Sequence, residues 1–253
     1  ASQTVNRSPQ GVGSPNTYVA GLFDTPDGDR AVPELIPVPN GLQVHISLPG
    51  GPLVQHFGPG PSHALTLDMR RGLLLSECRL VDGSAVSVRL VRLNLVSQDR
   101  RSLGLQMHHL EVERGESEMT LEASFEGLDR DLMAERLDNE LGVWRTRRSG
   151  KRLEIAAAVA LRIDGLEMAP VVLAPFKWSW TWKSRPGQII CLERIMGVAR
   201  SEVPGPDAGF EALNELKAGR DLGWRGLLTR HETAWAHRWS SSDIDLKGDA
   251  AAQ

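Results

Sequence analysis

Three tryptophans alternate with polar residues in the segment WSWTWK, which covers residues 178–183. In a β-strand, Trp178, Trp180 and Trp182 would point to one face, roughly 6.6–7 Å apart. An exposed row of this kind could stack on sugar rings. The same row could instead fill the core of a β-sandwich, because aromatic side chains bury large areas. The polar residues on the opposite face favour the core interpretation.

Histidine and cysteine spacing indicates no metal site. His108 and His109 are adjacent, so in a strand they point to opposite faces and cannot share one ion. The sequence contains no CxxC pair and no His-x-His pair. Cys78 and Cys191 both lie in apolar, strand-like segments, where two buried thiols are favoured over a disulfide. Free thiols are typical of a reducing compartment, so we expect a cytoplasmic protein.

Two groups of aspartates could do chemistry but are also typical of turns. Asp129 and Asp131 in GLDRDL are close enough for a paired-carboxylate site acting on sugars. Asp24, Asp27 and Asp29 could meet around calcium, although the glycine and terminal glutamate of an EF-hand loop are absent. Turn chemistry is the favoured interpretation of both groups. We therefore assign no catalytic and no metal-binding residue, and the substrate-binding residues stay unassigned.

Composition excludes several classes of partner. The chain has 253 residues and a net charge of −3, with no basic block suited to nucleic acid. No apolar segment approaches the ~20 residues that a membrane helix needs. The N-terminal residues lack the apolar region of a signal peptide. We expect a protein that binds neither nucleic acid nor membrane, and no cofactor-binding fingerprint is present.

The elements that must position these residues are mostly strands. Segments such as LQVHISL (42–48), with apolar and polar residues in alternation, recur between turn sequences up to about residue 200. Turns at 82–84, at Ser149-Gly150 and at Arg185-Pro186-Gly187 each predict a hairpin. The alanine-rich LEIAAAVALRI (153–163) could be helical, but its neighbours favour a strand. The pattern predicts an all-β fold of antiparallel sheets, a sandwich or barrel.

The pattern changes to a helical one after residue 200. Two sets of apolar residues have helical spacing: Phe210, Leu213 and Leu216 form the first, and Leu227, His231, Trp235 and Trp239 the second. Gly219, Gly223 and Gly226 predict a division into two helices. After the segment DIDL (243–246), Asp249 is a good N-cap for the alanines that follow, so the sequence predicts the start of another helix.

Several segments in this order resemble glycoside hydrolase family 65, which contains maltose, trehalose and kojibiose phosphorylases. They are TYVAGLFD (17–24), VPELIPVPN (32–40), LDMRRGLLL (67–75), GQIICLERIMGVARS (187–201) and the closing AWAHRWSSSDIDLKGDAAAQ (234–253). The resemblance extends over most of the chain, from Thr17 to Gln253. It implies a large two-sheet super-sandwich similar to galactose mutarotase over residues 17–200. Residues 1–16 would be a flexible N-terminus. Residues 201–253 would be a helical linker and the entry to an (α/α)6 barrel.

The resemblance also implies a function. Such enzymes invert the configuration at α-glucosidic bonds, with a glutamic acid that protonates the leaving oxygen and with phosphate or water as the nucleophile. These groups belong to the barrel, so the present residues would be a non-catalytic part that shapes the active site. Inorganic phosphate would be a co-substrate if the enzyme is a phosphorylase. The expected partners are the barrel, as the same or a separate chain, an α-glucoside or disaccharide, and further copies in a homo-oligomer.

Two other functions stay open at this point. The chain could be an independent carbohydrate-binding module that uses the row of tryptophans. It could also be a structural chain that docks a catalytic partner. Exposure of Trp178, Trp180 and Trp182 would favour the module, whereas an apolar surface around Trp235 and Trp239 would favour docking.

Overall fold

The structure is a computed structural model that describes residues 16–25, 32–55, 63–81, 86–128, 131–201 and 210–242. Several predictions fall outside these residues. They include the flexible N-terminal segment up to residue 15, the turn at 82–84 and the helix start after Asp249. Asp27, Asp29 and Asp129 also lie outside.

Seventeen strands and one helix make up the described part of the chain. The first nine strands are Thr17–Asp24 (β1), Glu34–Val38 (β2), Asn40–Leu48 (β3), Gly51–Pro52 (β4), Val54–Gln55 (β5), His63–Asp68 (β6), Leu73–Val81 (β7), Ser87–Val96 (β8) and Leu103–Arg114 (β9). The others are Ser117–Glu126 (β10), Met133–Leu137 (β11), Leu141–Arg145 (β12), Arg152–Ile163 (β13), Leu166–Met168 (β14), Val171–Ala174 (β15), Lys177–Ser184 (β16) and Ile189–Ser201 (β17). The helix is Phe210–Ser242 (α1).

The strands form two principal antiparallel sheets. The small sheet has five strands in the order β15-β16-β10-β3-β4. The large sheet has ten strands and follows the path β11-β12-β13-β17-β9-β8-β7-β5, with β14 paired to β13 and β6 paired to β7. β1 and β2 pair with each other as a separate ribbon. The predicted all-β, two-sheet fold with a helical C-terminal part is confirmed.

The main core lies between the two sheets. On β10, Met119, Leu121, Ala123 and Phe125 are buried in alternation with less buried residues, as expected for a strand with one face inside. Leu110 of β9 is part of the same cluster, from the large sheet. The alternation seen in the sequence therefore reports which face of each strand meets the other sheet.

A second core lies on the outer face of the large sheet, beneath α1. Leu103 and Leu105 of β9 and Ile195 of β17 pack there against Leu216 and Leu227 of the helix. The middle of the large sheet is therefore covered on both faces. This explains the alanines of β13, which the structure confirms as a strand. Ala156 packs in the outer core and Ala157 in the main core, so small side chains bring both layers close to the strand.

The turn at Arg185-Pro186-Gly187 does not close a hairpin, and this prediction was wrong. β16 pairs with β10 and β15 in the small sheet, whereas β17 pairs with β13 and β9 in the large sheet. The turn therefore leads the chain from one sheet to the other. A hairpin and such a crossing need the same reversal of direction, so the turn sequence cannot distinguish them. The hairpins β7–β8 and β12–β13 were predicted correctly.

The helix is interrupted where a glycine predicted a break. Gly223 has φ 62° and ψ 171°, a backbone conformation essentially restricted to glycine, and it divides α1 into two helical parts. The predicted face of the first part was partly wrong, because Phe210 and Leu213 are 62% and 38% exposed. Ala212 and Leu216 meet the sheet instead. Among the described residues, no helix has the length and apolar character needed to cross a bilayer.

Candidate functional site

The row of tryptophans lies in the main core. Trp178, Trp180 and Trp182 are only 3%, 2% and 8% exposed. The indole N–H of Trp180 donates to the carbonyl oxygen of Met168 at 3.0 Å, and that of Trp182 donates to Gln188 Oε1 at 3.1 Å. Each of these polar tips is thus satisfied inside the protein, as buried tryptophans require. A sugar-stacking platform at these residues is excluded.

His108 and His109 do not converge on one site, and the two cysteines are not bonded to each other. His108 and His109 lie on opposite faces of β9 as predicted, with His108 buried and His109 exposed. Both cysteines are free; Cys78 is buried, and the sulfur of Cys191 lies 3.5 Å from His109 Nδ1 on the outer face. No cluster of three or more metal-ligating side chains occurs among the residues that the structure describes.

Asp24 has a structural role. Its carboxylate accepts hydrogen bonds from the backbone N–H groups of Thr25, Arg148 and Ser149 at 3.0, 3.2 and 2.8 Å. These bonds attach the end of β1 to the turn between β12 and β13. Burial by itself would raise the pKa of Asp24, but the backbone hydrogen bonds outweigh it and the pKa lies below its ordinary value. In the other aspartate pair, Asp131 is among the described residues and Asp129 is not.

The segment LDMRRG lies against the C-terminal part of α1. Arg71 Nε donates to Glu232 Oε1 at 2.9 Å, and Asp68 Oδ1 accepts from the backbone N–H of Arg71 at 3.0 Å. A Cβ atom on Gly72 would lie 2.0 Å from Trp235 Nε1, so only glycine allows this approach. Two segments that carry the family resemblance, LDMRRG and the region of Trp235, are therefore in direct contact.

His231 stabilises the same contact between α1 and the LDMRRG segment through hydrogen bonds. Its Nδ1 accepts from the backbone N–H of Gln98 at 3.0 Å, and its Nε2 lies 3.1 Å from the carbonyl oxygen of Gly72. Since an amide N–H can only donate and a carbonyl can only accept, the ring is the neutral tautomer with its proton on Nε2. The side chain is 1% exposed. The sequence pattern placed His231 on the helix face but could not identify these two partners.

A groove opens beside this contact, near the end of the helix. Its volume is about 480 Å³. It is lined by Arg70, Arg71, Glu232, Ala236, Trp239 and Ser240. We call this the helix-end groove. The rings of Trp235 and Trp239 stack 6.4 Å apart on its helix side. Both tryptophans are half-buried, and the end of β6 and the turn after it expose Leu67 and Met69.

A cluster of buried polar side chains inside the sandwich was missed at the sequence level. Gln106, His108 and Arg194 are all buried and face the small sheet. The available sequence signal was a charged or polar residue at an inward position of strands β9 and β17. Alternation shows that such positions face inward, but it does not show that two neighbouring strands bring them together.

The geometry can be compared with known proteins. The model of the N-terminal domain of glycosyl hydrolase family 65 matches residues 5–238. Among solved structures, one described as a kojibiose phosphorylase from the human microbiome is 16% identical, with a TM-score of 0.69. The similarity covers 90% of this chain and 32% of that chain. At this identity the likeness shows the fold, and the chain spans about a third of that protein.

Other comparisons add little. A structure of heparinase III is 8% identical with a TM-score of 0.30, and covers 64% of this chain and 24% of that chain, a similarity too low to support an inference. No curated protein matches. The family match over most of the chain confirms the resemblance seen in its sequence segments. This chain belongs to glycoside hydrolase family 65, whose N-terminal domain it contains.

Proposed function

We propose that this chain is the non-catalytic N-terminal β-sandwich part of an inverting family 65 enzyme acting on α-glucosidic disaccharides or other α-glucosides. The observation that carries the proposal is the similarity to a kojibiose phosphorylase structure over nearly the whole of this chain but only 32% of the other. The remaining two thirds of such an enzyme would supply the catalytic carboxylates and most of the substrate contacts. If the enzyme is a phosphorylase, inorganic phosphate would be its co-substrate.

The helix-end groove supports a role in assembly. Its half-buried, stacked tryptophans and the exposed Leu67 and Met69 provide apolar surface, and Arg70, Arg71 and Glu232 provide a polar rim. Interfaces between protein domains combine these two features. We propose that an (α/α)6 catalytic barrel, in the same or a separate polypeptide, packs here, and that the complete enzyme is a homo-oligomer. The free thiols support a cytoplasmic location.

The alternative of an independent carbohydrate-binding module has lost its main support. It depended on a row of exposed tryptophans, and the three side chains are buried.

The proposal is tested by isolating the native protein that contains this sequence and measuring its intact mass. We expect the chain to continue into, or to co-purify with, a larger catalytic polypeptide. That assembly should cleave α-glucosidic disaccharides, assayed with and without phosphate, whereas the 253-residue chain alone should not. Cleavage by the chain alone would contradict the assignment of the chemistry to a barrel.

A variant in the groove makes the test specific for assembly. Ala236→Arg places a large charged side chain into the helix-end groove and should reduce assembly with the barrel, and the resulting activity, about tenfold or more. Thr229→Arg introduces the same side chain at an exposed position of α1 outside the groove lining. Thr229→Arg should leave both the assembly with the barrel and the activity unchanged. Equal effects of the two variants would rule out the groove as the docking surface.

A further inference from the structure

A second, smaller cavity lies inside the sandwich, where the edge of the small sheet meets the large sheet. Its volume is about 100 Å³, which is room for several water molecules or one small ion. Its walls include Val44, Ile46, Leu53, Leu90, Arg92 and His108. We call it the sandwich cavity. Most of its lining is aliphatic; the polar lining residues are Arg92 of β8, His108 of β9 and His45 of β3.

The polar wall carries hydrogen-bonding atoms without partners. His108 is 2% exposed, and its Nδ1 atom has no hydrogen-bond partner. The Nε atom of Arg92 is also buried and unpartnered. Asn94 and Gln106 form the next cross-strand pair on the same face of β8 and β9. Their side-chain oxygens, Asn94 Oδ1 and Gln106 Oε1, are also buried without a hydrogen-bond partner. Of these four side chains, Arg92 and His108 line the cavity. Buried polar atoms are nearly always paired, so two unpaired atoms at one cavity wall indicate a ligand there.

The electrostatics of this region are positive. Arg194 is fully buried, and its guanidinium donates to the backbone carbonyl oxygens of Gly41 and Gln43. Burial lowers the pKa of Arg194 to about 9. Burial also lowers the pKa of His108, and the charges of Arg92 and Arg194 lower it further, so both guanidinium groups act on this side chain. Within the described residues, neither arginine has a carboxylate partner.

Water alone would not balance this arrangement. Waters could satisfy the unpaired hydrogen-bonding atoms, but they leave the positive charge of two inward-facing arginines uncompensated. An anion would do both, because its oxygens accept hydrogen bonds and its charge offsets that of the guanidinium groups. Arginine is the side chain best suited to bind carboxylate and phosphate oxygens, with two parallel N–H donors.

We propose that the sandwich cavity binds a small oxyanion. Arg92 donates to its oxygens, His108 hydrogen-bonds it as a neutral ring, and Arg194 contributes favourable charge from behind the cavity wall. The ligand class is a compact phosphate, sulfate or short carboxylate, since the volume admits nothing much larger. This site does not depend on the proposed function, because its lining comes from β3, β4, β7, β8 and β9 and Arg194 comes from β17, all within this chain.

The test is titration of inorganic phosphate, and separately of acetate, into the 253-residue chain by isothermal titration calorimetry at constant ionic strength. We expect saturable binding of at least one of them, and the pair distinguishes a tetrahedral from a planar oxyanion. Low concentrations are essential, because phosphate and sulfate at high concentration stabilise any folded protein through exclusion from its surface. Arg92→Met should weaken binding about tenfold or more, the loss of one charge-assisted hydrogen bond.

Arg89→Met is the matched control. Arg89 lies on the same strand as Arg92, and its substitution removes the same charge. Its side chain points outward and pairs with Glu77 and Glu111. It should leave binding unchanged. Absence of saturable binding, or equal weakening by both variants, would overturn the proposal.

A measurement on the unmodified chain covers the case in which Arg92→Met fails to fold. Selenate is an oxyanion that contains an anomalous scatterer. In crystals soaked with it, anomalous density should lie in the sandwich cavity within hydrogen-bonding distance of Arg92 and His108. A cavity that contains only water in the presence of selenate would also overturn the proposal.

Discussion

Single buried polar side chains hold distant parts of this protein together. Asp24 attaches β1 to the turn at 147–149 through the backbone N–H groups of Arg148 and Ser149, and it also accepts from the N–H of Thr25. His231 attaches α1 to Gln98 and Gly72. In both cases the partners are backbone groups. Removing either side chain would leave buried backbone groups unsatisfied, which is more costly than the net value of the bond itself.

At this scale, Asp24→Asn should destabilise the protein in a pH-dependent way. Near neutral pH we expect a loss of about 1–2 kcal/mol in the free energy of unfolding, because an amide replaces a carboxylate that accepts three N–H bonds. The folded-state pKa of Asp24 is below the ordinary 3.8, so its stabilisation is present above that pH and is lost as the pH falls further. The difference between the two proteins should therefore shrink in acid.

Urea denaturation at neutral and acid pH measures this. Asp138→Asn is a suitable control, since Asp138 forms an exposed ion pair with Arg136. It should change the free energy of unfolding by less than about 0.5 kcal/mol. A constant difference between Asp24→Asn and the unsubstituted protein at all pH values would contradict the role of the carboxylate charge.

At the scale of elements, the position of α1 is set by glycine. A Cβ atom on Gly197 of β17 would lie 2.4 Å from the carbonyl oxygen of Ala212 and 2.8 Å from the backbone nitrogen of Leu216. The helix backbone therefore rests directly on the strand. Gly219 gives a similar approach from the helix side, because a Cβ atom there would lie 2.8 Å from Ile195 Cγ2. Glycines on both the strand and the helix therefore allow this close approach.

Gly197→Ala should displace the helix from the sheet. We expect a loss of about 1–3 kcal/mol in the free energy of unfolding, the usual cost of overpacking against atoms that cannot move independently. Hydrogen exchange should show reduced protection of the first part of α1. Gly104→Ala is the control, since its nearest neighbour is the flexible end of Met196 at 3.4 Å. Similar losses for the two variants would show that the helix does not depend on this contact.

At the scale of the whole molecule, the large sheet is the central layer. The small sheet covers one face and α1 covers the other, and each side has its own apolar cluster. The sheet residues under the helix are Leu73, Leu95, Leu103, Leu105, Leu141, Val143, Ala156 and Ile195. The sandwich is therefore incomplete without the helix, although the helix lies at the opposite end of the sequence from the first strands.

Truncation after Ser201 should expose this apolar face. We expect the shortened chain to bind the dye ANS and to self-associate in sedimentation experiments, because contiguous apolar surface of this size is rare on monomeric proteins. The 253-residue chain should do neither to the same extent. A truncated chain that stays monomeric, binds no dye and unfolds in urea like the longer one would show that the sandwich is stable without α1.

The sequence by itself determined which face of each strand is buried and where the helical part begins. Alternation placed Trp178, Trp180 and Trp182 on one face and separated His108 from His109, because the period of two is a local property of an extended chain. It also indicated the break at Gly223, since glycine is the residue that tolerates unusual backbone angles. These features need no knowledge of what each element packs against.

Only the tertiary structure decided which strands are partners. It separated β16 from β17, turned Ala212 rather than Phe210 toward the sheet, and brought Arg92, His108 and Arg194 around one buried region. The physical reason is that alternation fixes the face of a strand but not its neighbour. Strand pairing depends on how the apolar faces of two complete sheets and a helix pack against one another. It also depends on contacts between residues far apart in the chain, such as Arg194 with Gly41.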